Sequence, residues 1–450
     1  MKIPCALSIA GSDSGGGAGI QADLKTFAAL GVHGMTAVTA ITAQNTIDVT
    51  AVQDIETDVI RAQIEAVAGD IGVDAAKTGM LHISEIIEAV AEEIEKWGFP
   101  VIVDPVMIAK GGAALLQPEA KDTLIKRLLP LSTVVTPNAM EAEAISGVKI
   151  ETIEDGRRAA ERILAMGPSA VVVKGGHILQ REGMAIDILL HEEEHTLLEA
   201  KRYETKDTHG TGCSFSSAIA AELAKGSSIF DAVTVAKHFV NYAIRFGLRV
   251  GNGHGPLNPM ANLWNDSERY RVLENVREAV GLLEGCSVMR PLVAEVQMNI
   301  GMALPYAARV EDVAAIEGRI VRRSKGIKAS GCPMYGTSGH IARTVLAVMG
   351  FESEKRAAMN LRYSDETVQA CDELGLLVSY YDRREEPKDL KEMEGSTTFW
   401  GATKAVERVG RVPDVIYHHG DLGKEPMIVL VGETAVQVAE RAIEIARKIV

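Results

Sequence analysis

"THGTGCSFSSAIAAEL", residues 208–223, is a glycine-bearing turn that runs directly into a stretch of small apolar residues. Gly210, Thr211 and Gly212 can present several backbone N–H groups at the start of the helix that this stretch predicts. Such a preorganised anion hole is what transfer of a phosphoryl group needs, because charge on the moving group must be met by fixed donors. The alternative is a tight helix entry required only for packing. The turn ends in a thiol, Cys213.

Working outward, the first 260 residues alternate short apolar runs with amphipathic stretches. "CALSIAG" (5–11), "MTAVTAIT" (35–42), "AAKTGM" (75–80), "PVIVDPVM" (100–107), "STVVTPN" (132–138) and "SAVVVKGG" (169–176) read as strands. "AGIQADLKTFAALG" and "SEIIEAVAEEIEKWG" read as helices between them. Strands punctuated by helices of this length predict βαβ units, hence an α/β fold with a mostly parallel sheet flanked by helices. Ligands of such sheets gather at the carboxyl ends of the strands, where Gly, Asp, Lys and Thr stand here.

"GLRVGNGHGPLNPMANLW" (247–264) breaks the pattern and predicts the end of a first domain, 1–262. A second, separate α/β domain is expected over 268–450, opened by the amphipathic helix "NDSERYRVLENVREAVGLLEG" with Asp266 or Ser267 as its cap. Its strands are read in "AEVQMNIGMAL", "RIVRR", "GLLVSYYD", "DVIYHH" and "PMIVLVG".

Composition narrows the function classes. The chain has 450 residues, 47% hydrophobic and 24% charged, and a formal charge of −14. That balance argues against a nucleic-acid or membrane-surface partner, so anionic substrates must be held by local devices. The five cysteines are scattered without a CxxC or Cys/His cluster, which supports neither a zinc site nor a disulfide framework. No run approaches the ~20 apolar residues of a membrane span, and the N-terminal run is too short for a signal peptide. A soluble cytoplasmic protein is expected.

Several residues carry candidate chemistry. The loop "GSDSGGGAGI" (11–20) lets backbone N–H groups approach a ligand, but lacks the GK[ST] of a P-loop. In "TPNAMEAE", Asn138 and Glu141 offer oxygens that could hold Mg²⁺ directly or through water, and Asp104 ends a neighbouring strand. Lys174 ends another and could sit on a phosphate. Taken singly, each is more often a solvated or capping residue.

Together, "ALSIAGSDSGGGAGIQADLKTFAALGVHGMTAVTAITAQNT", "KTGML", "VDPVM", "TPNAMEAE", "KGGH" and "DTHGTGCSFSSAIA" resemble hydroxymethylpyrimidine/phosphomethylpyrimidine kinases of thiamine biosynthesis, within the ribokinase-like superfamily. The resemblance implies two ATP-dependent transfers, from the pyrimidine alcohol to its monophosphate and then to its diphosphate. It implies that Asp23 and Gln44 read the aminopyrimidine and that Gly11 and Met80 wall its pocket. Gly210, Thr211 and Gly212 would form the anion hole, with Cys213 beside the acceptor hydroxyl. Lys174 and Thr208 would contact ATP, and Asp104, Asn138 and Glu141 the Mg²⁺. A pyridoxal or pyridoxine kinase is the alternative; these relatives usually carry aspartate at the position of Cys213. A helix N-terminus lowers a thiol pKa, so Cys213 is expected to be a thiolate near neutrality.

The second domain has Arg319, Arg322, Arg323, Lys325 and Lys328 ahead of a Gly/Ser/Thr turn that opens a helix, a pattern suited to a phosphate ester. "MNIGMALP", "VAAIEGRI", "GTSGHIAR" and "VPDVIYHHGDLGKEPMIVLVG" resemble the archaeal-type thiamine-phosphate synthase domain. That resemblance implies joining of the pyrimidine diphosphate to hydroxyethylthiazole phosphate with release of pyrophosphate. Arg319 and His340 would serve the diphosphate, with Asn299, Asp421 and Lys424 as further substrate contacts. A non-catalytic domain that senses thiamine phosphate is the alternative. A homo-oligomer is expected from resemblance alone.

Overall fold

The computed structural model describes all residues except 1, 109–111, 113–114, 177, 182, 388–389, 391–395 and 422. His177 of the "KGGH" stretch therefore lies outside the described residues. The chain divides into two compact units, Met1–Asn262 and Leu263–Val450. No described helix is long and apolar enough to cross a membrane.

In the first unit the strands are β1 (Cys5–Asp13), β2 (His33–Gln44), β3 (Val49–Asp54), β4 (Ala75–Thr78), β5 (Val101–Val103), β6 (Val134–Val135), β7 (Ala170–Lys174), β8 (Gln180–Arg181), β9 (Met184–His191) and β10 (Glu194–Lys201). They form one sheet in the order β10-β9-β7-β6-β5-β4-β1-β2-β3, with β8 on β9. The run from β7 to β2 is parallel. From β7 to β1 these strands are buried on both faces, which is why they read as continuous small apolar runs, whereas β2 alternates. One apolar cluster, including Ile9, Ile87 and Val103, packs on one side, and another, including Phe215, Ile219 and Phe239, on the other. The helix Ser84–Trp97 ends at Gly98, whose φ of 69° is the left-handed stop that glycine accepts freely.

The edges are antiparallel, a feature the sequence concealed. The β9–β10 hairpin turns at Glu192 and Glu193, with φ of 51° and 66° and no glycine to announce the turn. β3 is a short, mostly exposed edge strand.

The second unit holds β11 (Ile300–Ala303), β12 (Val313–Ile316), β13 (Ile320–Arg322), β14 (Ile327–Ala329), β15 (Pro333–Tyr335), β16 (Ala357–Arg362), β17 (Val378–Tyr380), β18 (Val415–His418) and β19 (Met427–Gly432). Its main sheet runs β15-β12-β11-β16-β19-β18-β17, antiparallel except for β17 on β18, and β13–β14 form a separate hairpin. The helix Ala435–Ile449 packs on one face with Met359 and Leu430, and Gly339–Met349 on the other with Ala358 and Val429. The opening helix spans Ala261–Gly285, so Asp266 and Ser267 lie inside it and do not cap it. It starts just after Pro259, where the Ala261 N–H donates to the Asn258 carbonyl.

Candidate active sites

The helix Thr211–Ala224 begins at Gly210, whose φ is 81°. A Cβ on Gly210 would stand 1.9 Å from the Gly17 carbonyl oxygen, and one on Gly17 would stand 2.5 Å from the His209 ring. The two glycine-rich loops are therefore pressed face to face, and only residues without side chains allow it. Thr211 Oγ1 donates to the Thr208 carbonyl (2.7 Å), which closes the turn. The first N–H groups of the helix, including those of Gly212 and Cys213, have no carbonyl one turn behind them and gather at its positive end.

Gly212 faces the ends of two strands. A Cβ there would meet Asp104 Oδ2 at 3.1 Å and Lys174 Nζ at 3.3 Å. Lys174 Nζ donates to Asp104 Oδ1 (2.9 Å), which also accepts from Thr136 Oγ1 (3.3 Å). Burial opposes the charge on Lys174, but Asp104 and Glu141 outweigh it and raise its pKa. Glu141 is buried. Desolvation raises its pKa to about 7, against the pull of Lys174 and with a further push from Asp104.

Asn138 and Glu141 turn out to be a capping box: Glu141 N–H donates to Asn138 Oδ1 (3.0 Å) and Asn138 N–H to Glu141 Oε2 (2.8 Å). The Asn138 oxygen, expected to hold Mg²⁺ directly or through water, closes the cap of Ala139–Ser146 in this structure. No group of three or more His, Cys, Asp or Glu able to hold a metal occurs among the described residues.

Asp23 also needs correcting. It is fully buried, and it accepts from Ser8 (2.5 Å), Ser217 (2.7 Å) and the equally buried Lys77 (3.0 Å). With these partners and no exposed surface it anchors a buried ammonium instead of reading a pyrimidine. Burial disfavours the charge on Lys77, but Asp23, Cys213 and Asp104 outweigh it and hold its pKa above the ordinary value.

Cys213 is half-buried. Desolvation pushes its thiol up to about 11, since Lys77 pulls it down by less than burial, Asp23 and Asp104 push it up. The expected resting thiolate is therefore wrong: loss of hydration outweighs the helix N-terminus.

At the other end of the site, Gly11 and Met80 do stand together, with Met80 Sδ 3.3 Å from where a Gly11 Cβ would be. Met80 clusters with Ala40, Leu115 and Val106 as an apolar wall. Gln44 Nε2 lies 3.3 Å from His209 Nε2, which is 2.9 Å from Asp13 Oδ2. Asp13, His209, Lys77 and Ser217 sit inside the motifs quoted above, yet nothing in their residue types alone singles them out.

The second unit contains a cavity of about 560 Å³. Asn299, Arg319, His340, Asn360 and Lys424 line it, together with the Thr337–Gly339 turn at the start of the helix Gly339–Met349. Arg319 has a φ of 76°, strained for a side-chain-bearing residue, and donates to the Val296 carbonyl. His340 opens onto the cavity. The crowding of protein around it, then Arg319, Arg383 and Arg343, lowers its pKa to about 4. His418 is buried nearby and lowered to about 3 by desolvation, then by Arg383 and His340. The site is therefore strongly cationic, with neutral imidazoles among its arginines.

Two expectations here change. Asn299 Oδ1 accepts from the Ile300 and Ile316 N–H groups (2.9 and 3.0 Å) and its amide donates to the Ile316 carbonyl (2.9 Å), so its side chain ties β11 to β12. Asp421 is exposed and is not among the cavity lining; its backbone pairs with that of Lys424. Arg343, Arg383, His418 and Asn360 were missed because single basic, imidazole and amide residues carry no spacing signal.

Comparison with known proteins now gives these geometries a context. Residues 13–258 match the family model described as phosphomethylpyrimidine kinase, and residues 275–444 that described as thiamine-phosphate synthase ThiN. The chain is 51% identical over 263 residues to the hydroxymethylpyrimidine/phosphomethylpyrimidine kinase of Bacillus subtilis, covering 58% of this chain and 96% of that protein. It is 49% identical to the enzyme of the same name from Rhizobium meliloti, covering 58% and 98%. Among solved structures, an ADP complex of Bacillus subtilis pyridoxal kinase is similar with a TM-score of 0.55 and 43% identity, covering 58% of this chain and 99% of that one. A Staphylococcus aureus pyridoxal kinase with AMP-PCP and pyridoxal gives a TM-score of 0.54 at 38% identity, covering 58% and 95%. These relatives leave the second unit uncovered. The chain is an enzyme of ribokinase-like fold that belongs to the phosphomethylpyrimidine kinase family and carries a thiamine-phosphate synthase domain behind its kinase region.

Proposed function

We propose that this chain carries out three consecutive steps of thiamine biosynthesis. The first unit phosphorylates 4-amino-5-hydroxymethyl-2-methylpyrimidine, then its monophosphate, from ATP. The observation that carries this reading is the convergence of the Gly210–Gly212 turn with Asp104 and Lys174. Fixed N–H donors and one ammonium there can meet charge on the moving phosphoryl group. Gln44, Gly11 and Met80 serve the pyrimidine, and Lys174 and Thr208 the ATP end.

Asp104 and Glu141 fit a Mg²⁺ held through water and phosphate oxygens, the usual mode for this ion. Desolvation raises the pKa of Glu141, and Lys174 with a bound cation would offset that burial and the further push from Asp104. When bound, Mg²⁺ supplies charge neutralisation on the phosphates. Cys213 takes the alcohol proton in the first transfer, in the small fraction of molecules that hold a thiolate. The second transfer needs no such base, because a phosphate acceptor with a second pKa of about 6 is already anionic.

The second unit joins the diphosphate to hydroxyethylthiazole phosphate. Arg319 and Lys424 hold the departing pyrophosphate at the start of the helix Gly339–Met349, and neutral His340 donates a hydrogen bond to it. Pyrophosphate departure leaves a pyrimidinylmethyl cation that the thiazole nitrogen captures. A sensing role without turnover is the alternative for this unit. Pyridoxal is a second substrate to test, because the two solved relatives described above are pyridoxal kinases. A homo-oligomer in the cytoplasm completes the proposal. Incubating the full chain with ATP, Mg²⁺ and either hydroxymethylpyrimidine or pyridoxal, and separating the products by chromatography, tests the kinase reading. Monophosphate followed by diphosphate of the pyrimidine is expected; pyridoxal phosphate as the sole product would overturn it.

A further inference from the structure

Asp13 sits at the end of β1 and is almost completely buried. Its Oδ1 accepts the Gly15 N–H (2.8 Å), and its Oδ2 accepts those of Gly17 (3.0 Å) and Ala18 (2.8 Å). The same Oδ2 is 2.9 Å from His209 Nε2. One carboxylate thus organises the whole 13–18 loop and reaches across to the residue immediately before the Gly210–Gly212 turn. His209 is fixed on its own side as well, since its N–H donates to the Gly255 carbonyl and its carbonyl accepts from Leu257. Its ring lies where a Gly17 Cβ would be, and Gln44 Nε2 approaches the same imidazole nitrogen at 3.3 Å. Gln44 in turn accepts from Thr42 Oγ1 (3.2 Å).

Three segments that are far apart in sequence therefore meet on one imidazole: the end of β2, the loop after β1 and the anion-hole turn. None of the contacts is needed for the sheet. Each bears on a part of the site with a different task.

We infer that Asp13 and His209 form a latch that couples the pyrimidine end of the kinase site to its phosphate-receiving end. His209 is a positioning residue: its Nε2–H bond to the Asp13 carboxylate sets the Gly210–Gly212 turn against the 13–18 loop, and its ring limits where the Gln44 side chain stands by contact, because an Nε2 that donates to Asp13 has no lone pair for the Gln44 amide N–H. The inference rests on the assignment of Gln44 to the pyrimidine and of Gly210–Gly212 to the transferred phosphoryl group. A charge-assisted bond of this kind is among the stronger ones available to a partly buried pair. Misplacing donors by about 1 Å costs on the order of 100-fold in rate.

The test compares His209→Ala, His209→Gln and Gln44→Ala in the full chain, with kcat and KM for each transfer and a thermal melt. The side-chain amide nitrogen of glutamine reaches about as far as Nε2 of histidine and can donate to Asp13, but it lacks the ring. His209→Ala is expected to lower kcat at least tenfold in both transfers and to raise KM for the pyrimidine. His209→Gln is expected to recover kcat to within about threefold while KM stays raised. Equal loss in His209→Ala and His209→Gln, with both proteins folded, would overturn the latch, because ring packing against Gly17 would then be the whole role. Unchanged kcat in His209→Ala would overturn it too. If His209→Ala does not fold, the His209→Gln result decides alone: recovered kcat supports the latch, and tenfold or greater loss refutes it. A Gln44→Ala variant with unchanged pyrimidine KM would refute the assignment of Gln44, leaving the kcat comparison to judge the coupling to the anion hole.

Discussion

Cys213 provides the sharpest chemical prediction. Its thiol is pushed up to about 11 from an ordinary 9.0. At pH 7.5 such a group is ionised in about 3 molecules per 10,000, because 10 raised to (7.5 − 11) is ~3 × 10⁻⁴. At its ordinary value about 3 per cent would be ionised, so burial removes about 100-fold of the thiolate. Below its pKa the thiolate fraction rises tenfold per pH unit. Single-turnover measurements of the first transfer between pH 7 and 9.5 should therefore rise about tenfold per unit. The second transfer, whose acceptor is already anionic, should stay flat over the same range. Alkylation of Cys213 by iodoacetamide, followed by mass spectrometry of its peptide, should show a half-rise above pH 10. A half-rise near pH 8, or a first transfer that is flat with pH, would refute the assignment of proton acceptance to a rare thiolate.

Three further outcomes follow from buried charge. Glu141 is raised from 4.5 to about 7, so between these values the unfolded chain releases a proton that the folded chain keeps. Stability from this group is present at low pH and is lost as pH rises through that window, about 3 kcal/mol in all. Glu141→Gln should thus stabilise the protein more at pH 8 than at pH 5 in denaturant melts, and a pH-independent difference would contradict this. Asp23→Asn leaves the Lys77 ammonium buried without its anion, which should destabilise the first unit by about 3–5 kcal/mol; a loss under ~1 kcal/mol by urea denaturation would contradict the pairing. His340 is lowered to about 4, so its proton NMR signal should not titrate between pH 5.5 and 8, and a midpoint near 6.5 would refute the neutral assignment.

The parallel centre of the first sheet was legible in the sequence because strands covered on both faces must be apolar throughout, as in "SAVVVKGG". The β9–β10 hairpin was not, since two glutamates take the left-handed turn that glycine or asparagine would have advertised. β16, within "RAAMNLR" (356–362), was not read as a strand because alanine and asparagine give little strand signal, although Asn360 there lines the cavity. In the sites, motif residues were found where expected in the chain, but what they touch could not be read. Asp23 needed the knowledge that Lys77 arrives from β4, and Asn138 the knowledge that its oxygen turns back onto Glu141. Desolvation, which decides Cys213 and His340, belongs to the folded surroundings and leaves no mark on local sequence.

Incubating the full chain with hydroxymethylpyrimidine, hydroxyethylthiazole phosphate, ATP and Mg²⁺, and following all products by chromatography with mass detection, tests the three-step function most directly. Thiamine phosphate and pyrophosphate should form after the pyrimidine mono- and diphosphates appear, and Arg319→Ala should halt the sequence at the diphosphate. Diphosphate that accumulates in the unaltered chain without thiamine phosphate would contradict the assignment of catalysis to the second unit.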